Sequence, residues 1–178
     1  MSRKAWVAAL LGATLALAAL GTYQKHGKTV LAFNGTPSVP VGFYLARRNP
    51  RALEPGDLTC VRNEALPDWA RARQYLPDGM SLCKRVAATT GGTVLREGSR
   101  LRVCTAGGEC LESALRGADS HGRELRAAFP EGRSGIPAGQ VYLYSEHPKG
   151  LDSRYLGLMP LSDTFLRLTP LLVSGPEH

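Results

Sequence analysis

Arg3 and Lys4 precede an almost uninterrupted apolar run from Ala5 to Leu20, extendable through Gly21 and Thr22 to Tyr23. That approaches the ~20 residues a membrane-spanning helix needs, and it constrains where everything after it can fold. Two basic residues and the terminal amine on one side argue for insertion with the N-terminus inside, although Lys25 and Lys28 on the other side weaken the asymmetry. Ala16-Leu17-Ala18 satisfies the small-x-small pattern of a cleavable export signal, whereas the length of the run favours a retained anchor. In both cases the remainder is exported. The composition changes once, at QKHGKT (24–29), which separates an anchor or signal segment with its linker (1–28) from a domain (29–178).

A length of 178 residues suits one domain plus a short appendage, and 20 Gly with 12 Pro predict many turns and short strands. Strand-like segments run from Thr29 to Phe33 and continue with GFYLAR, DLTCVR, SLCKRVAAT, SRLRVC and QVYLYS, most bounded by Gly, Pro, Asp or Asn. A mostly β domain of antiparallel sheets behind an N-terminal membrane helix is expected. One domain helix is predicted from Pro67 to Tyr75, with Asp68 in its first turn; residues 114–129 are too rich in Gly and charge to assign.

The net charge of +7 is spread along the chain with no run of five basic residues. This argues against a nucleic-acid partner and fits a surface facing anionic lipid head groups. Four cysteines, an even number, agree with an oxidising compartment. Cys104 and Cys110 bracket the short loop TAGGE and are the first expected disulfide, with Cys60 and Cys83 a second candidate pair. A zinc site from Cys104, Cys110 and His121 lacks the paired CxxC spacing that such sites favour.

Three segments carry potential chemistry. In NGTPSVPVGFY (34–44), Pro37 and Pro40 fix φ on both sides of Ser38 and hold its hydroxyl at low entropic cost, though a Pro-rich surface turn would read the same way. In SLCKRVAATTGG (81–92), alternation puts Lys84 on an apolar face with Leu82 and Val86, and Cys83 with Arg85 on the other. Desolvation there favours the uncharged amine; the alternative is a snorkelling edge-strand lysine. In HPKGLDSRYLGLMP (147–160), Asp152 and Arg154 share a face if the segment is extended, either bracing a loop or forming an exposed ion pair. His26, His121, His147 and His178 read as surface histidines without an orienting acid, so a Ser-His-Asp arrangement is disfavoured.

Taken in order, the membrane segment, the Ser38 segment, PGDLTCVR, KRV with its Gly turn, and DSRYLG resemble the bacterial signal peptidase I family. The match covers residues 34–160 in blocks, and NGTPSVPVGFY looks most like the conjugative-transfer branch, the TraF proteins of plasmid mating systems. The resemblance implies Ser38 as nucleophile, Lys84 as general base, and an oxyanion hole from the Ser38 N–H and the Thr36 hydroxyl. Asp152, Arg154 and Ser153 would support the site. It further implies a protease that matures a conjugative pilin at the periplasmic face of the inner membrane, with other mating-pair proteins as partners and no metal or organic cofactor. Gly150 stands where general signal peptidases carry a Ser that hydrogen-bonds the lysine, which leaves open what orients Lys84; Ser153 and Asp152 are the candidates. Val39 replaces the usual Met after the nucleophile. The rival from another class is a non-enzymatic, disulfide-bonded scaffold of a pilus or secretion assembly.

Overall fold

The computed structural model describes residues 6, 10–15, 21–22, 28–48, 50 and 52–174. Its strands form two antiparallel sheets. Strands β1 (Thr29–Asn34) and β2 (Gly42–Arg48) make a hairpin in which Asn34 opposes Gly42, so the segment holding Ser38 is the hairpin loop. Strands β3 (Leu58–Arg62) and β4 (Ser81–Ala88) pair with Cys60 opposite Cys83. The second sheet contains β5 (Thr93–Glu97), β6 (Arg100–Cys104), β7 (Cys110–Ala114) and β8 (Gly132–Gly135), in the order β7-β6-β5-β8. Strands β9 (Gln140–Tyr144), β10 (Met159–Pro160) and β11 (Thr164–Val173) return to the first sheet, whose order is β1-β2-β11-β3-β4-β9-β10.

The last strand therefore joins the two halves of the candidate site. β11 lies between β2 and β3, with Leu168 opposite both Ala46 and Leu58. It was not among the strands predicted from sequence. Pro170 argues against a central strand there, and the structure accommodates it beside a register shift between Pro170 and Leu172. Gly42 sits under that crossing at φ +148°, where a Cβ would come within 2.2 Å of the Leu172 carbonyl oxygen. Only glycine lets β11 approach so closely.

Alternation in β4 is as predicted: Leu82, Lys84, Val86 and Ala88 are buried while Ser81, Cys83, Arg85 and Ala87 are half-buried. Leu82 and Val86 join Val61, Val141, Leu143 and Leu156 in one core cluster. Tyr44, Ala46, Leu58, Cys60 and Leu168 form a second, beneath the Ser38 hairpin. Each fully buried Val or Leu contributes about 1.5–3 kcal/mol. The expected Cys104–Cys110 disulfide is present, tying β6 to β7, and the candidate pair Cys60–Cys83 is bonded as well, tying β3 to β4.

The predicted helix is shorter than expected. α1 spans Asp68–Ala72 after Pro67, and Gln74, at φ 52°, turns the chain away before Tyr75. A second short helix, α2 (Ser153–Leu156), was not predicted. The expected membrane segment lies largely outside the described residues. Residues 10–15 are helical with Leu10, Leu11 and Leu15 exposed, and among the described residues no helix is long and apolar enough to cross a membrane.

Candidate active site

The hairpin loop carrying Ser38 is held from inside its own hairpin. Asn34 Nδ2 faces the carbonyl oxygens of Thr36, Val39 and Pro40 at 2.7, 3.0 and 3.2 Å. The buried Tyr44 hydroxyl donates to Pro40 O from below. These contacts, added to the φ restraint of Pro37 and Pro40, define a rigid turn. Thr36 Oγ1 donates to Asn34 Oδ1 at 3.0 Å, so the hydroxyl expected to serve an oxyanion is engaged by Asn34. Asn34 was not singled out from sequence, although an Asn before Gly at a strand end is a turn signal.

Ser38 and Lys84 line the same cavity, of about 480 Å³. Its walls are largely apolar, with Phe33, Tyr75, Leu76, Met80, Leu82 and Leu151 among them. Lys84 is only 1% exposed. Burial pushes its ammonium down from the ordinary 10.5 to about 8, against an opposing pull from the Asp152 carboxylate and with a smaller push from Arg154. This is a lysine on a buried face, not a snorkelling one.

The sign of this shift sets a stability prediction. Unfolded chain binds more protons than folded chain between about pH 8 and 10.5, so stability rises with pH through that window. The cost of charging Lys84 is therefore fully present below about pH 8 and gone above 10.5. Lys84→Met, of similar length and uncharged, should stabilise the fold near pH 7 by on the order of 3 kcal/mol. In thermal melts this is a gain of about 6–12 °C that shrinks as pH approaches 10.5.

Asp152 and Arg154 do not meet along an extended strand, as their spacing suggested. Asp152 caps α2, accepting from Arg154 N at 3.1 Å, and the Arg154 side chain turns back to grip the carboxylate through Nε and Nη2 at 2.8 and 2.9 Å. The two side chains are 0% and 5% exposed, so the pair is buried rather than a surface ion pair. Arg154 also donates to the carbonyls of Ala114 and Gly150. Asp152 Oδ2 accepts from Ser145 N at 2.9 Å. Ser153 is committed elsewhere, its Oγ accepting from Leu143 N at 2.9 Å. Of the two candidates for orienting Lys84, Ser153 is thus engaged with Leu143 N, while the Asp152 charge bears on the amine's protonation. His147 corrects another expectation: it lines the cavity, half-buried, with Nδ1 accepting from Lys149 N at 3.2 Å.

Beside the cavity lies an apolar surface that spans three strands. Leu31 opposes Leu45, and Phe33 opposes Phe43, which in turn opposes Leu172; all five are exposed. The Phe33 and Phe43 rings pack with centroids 5.1 Å apart.

A hydroxyl on a rigid hairpin loop and a desolvated amine thus lie in one apolar cleft, beside a buried Asp–Arg pair. The family model described as signal peptidase, peptidase S26, matches residues 3–168, and the chain belongs to that family. Within it, the chain is similar to conjugal transfer proteins. It is 30% identical to the conjugal transfer protein TraF of Agrobacterium tumefaciens over 175 residues, covering 94% of this chain and 95% of the relative. The TraF of Agrobacterium fabrum is 30% identical over 151 residues, 80% of this chain and 82% of that protein. A probable conjugal transfer protein TraF of Sinorhizobium fredii is 34% identical over 161 residues, with 85% and 82% covered.

Proposed function

We propose that this protein is a membrane-associated serine endopeptidase that uses Ser38 and Lys84 to mature a conjugative pilin. The observation that carries the reading is the enclosure of Lys84 in the Ser38 cavity with its amine lowered to about 8. Roughly a tenth of the protein then holds a neutral base at pH 7, far more than an ordinary lysine provides and without a histidine.

In the first half-reaction, Lys84 Nζ takes the Ser38 hydroxyl proton as Oγ attacks the scissile carbonyl. The tetrahedral oxyanion is stabilised by the Ser38 N–H and by Thr36, whose hydroxyl turns from Asn34 to the developing charge. Collapse passes the proton from Lys84 to the departing amine and leaves an acyl-enzyme. Water then releases a linear product, or the substrate's own N-terminal amine attacks the acyl carbon and closes a ring. Aligned intramolecular nucleophiles reach effective molarities of ~10⁵ M or more, enough to outcompete bulk water. Lys84 takes a proton in each half-reaction.

Substrate access is consistent with this scheme. β1 is the edge of the seven-stranded sheet, and its Ala32–Asn34 end lines the cavity, so an extended peptide can add along that edge. The exposed face of Leu31, Phe33, Phe43, Leu45 and Leu172 supports seating on inner-membrane lipid at the periplasmic side, continuous with an N-terminal anchor. Other mating-pair proteins are further partners, and no nucleic acid is required.

The test is the mass of the mature pilin from cells with and without this protein. Cleavage that depends on the protein is expected, with a product lighter by one water than the linear peptide if the ends are joined. Linear product alone would leave an ordinary endopeptidase, and unchanged precursor would remove the protease reading.

A further inference from the structure

We propose that Ser145 is a positioning residue that orients the Lys84 amine toward Ser38; this rests on the dyad proposed above. Four observations converge on it.

β4 and β9 pair with Arg85 opposite Tyr144 and Val86 opposite Leu143. The ladder ends there, and Ser145 follows Tyr144 just as Lys84 precedes Arg85, so the two residues leave the paired segment side by side. Alternation sends Lys84 and Val86 to the buried face, and Ser145 shares it, 1% exposed. The Ser145 hydroxyl also reaches the nucleophile segment, donating to Ser38 O at 3.5 Å. Its backbone N–H is fixed on Asp152, the carboxylate that acts on Lys84.

The fourth observation concerns Gly150. A Cβ built there would lie 2.5 Å from both Cβ and Oγ of Ser145 and 2.9 Å from the His147 carbonyl oxygen, closer than real Cβ contacts come. The Ser145 side chain therefore fills the space a residue at 150 would use, and Gly150 is the complement that admits it.

A serine hydroxyl offers one proton and two lone pairs. With the proton given to the Ser38 carbonyl, the lone pairs can accept an N–H from Lys84 and leave the amine's own lone pair for the Ser38 proton. Thr59, opposite Lys84 on the other side, donates its hydroxyl to Leu166 O at 2.6 Å and makes no such link to Ser38. Ser145 alone among these neighbours touches both halves of the site, the hairpin loop and the β4–β9 ladder.

The experiment uses the full chain in detergent and a p-nitrophenyl ester of a short apolar peptide, following p-nitrophenolate release across pH. Ser145→Ala should lower kcat about tenfold to a hundredfold, as expected for a misplaced catalytic group. KM and melting temperature should hold, while the acid limb of the pH profile moves. Gly150→Ser alone should be inactive because of the overlap. A Ser145→Ala enzyme with parental kcat and pH profile would overturn the proposal. Release from the parent that is unaffected by Ser38→Ala would instead remove the dyad itself, and this proposal with it.

Discussion

Lys84→Arg should abolish turnover while the protein stays folded. The guanidinium cannot lose its proton at any usable pH, so Ser38 would have no base, and general-base catalysis alone is worth about 10²–10⁴-fold. The loss should approach the upper end because no second base replaces Lys84 in the mechanism: the His147 ring nitrogen Nδ1 is already held by Lys149 N. A second charge change is informative in the opposite direction. Asp152 pulls the Lys84 amine upward, so Asp152→Asn should carry the acid limb of the pH profile to lower pH. Substantial turnover by Lys84→Arg, measured with a peptide ester, would exclude Lys84 as the base.

Asp152→Ala should be the most destabilising single substitution in the site. The carboxylate holds Arg154 through two bonds, caps α2 and accepts from Ser145 N, all at 0% exposure. Its removal leaves a buried guanidinium uncompensated, and breaking such pairs costs about 3–5 kcal/mol. A domain of this size then melts about 6–20 °C lower. A double substitution of Asp152 and Arg154 by apolar residues should recover part of that loss, because most of the penalty belongs to the orphaned charge. Equal melting of Asp152→Ala and the parent would contradict the buried-pair account.

Which parts of this were legible in the sequence follows from the range of the interactions. Lys84 on an apolar face could be read because SLCKRVAA alternates locally, and the stiffness around Ser38 could be read from two prolines. The cysteine pairing of 104 with 110 was legible from a short loop. What the sequence hid was long-range. Asp152 and Arg154 look like a surface pair two residues apart, and only the helix turn at Ser153 brings the guanidinium back onto the carboxylate in a buried place. Ser145 is an unremarked residue at the end of QVYLYS until the β4–β9 pairing, ending at Arg85 and Tyr144, brings it to the Lys84 end of the ladder. His147, between polar neighbours, gave no sign that its loop folds over the cavity. β11 was missed because Pro170 argues against a central strand and nothing local shows that the bulge absorbs it. β8, GRSG, carries two glycines and no alternation, so only pairing with β5 makes it a strand.

The proposed function turns on a covalent acyl-enzyme at Ser38, formed with Lys84 as its base. The direct measurement is mass spectrometry of the full chain after brief exposure to an activated peptide ester, with the adduct mapped by proteolysis. One acyl group is expected on the peptide containing Ser38 in the parent, and none in Ser38→Ala or Lys84→Arg. An adduct on another residue, or equal labelling of the Lys84→Arg protein, would contradict it.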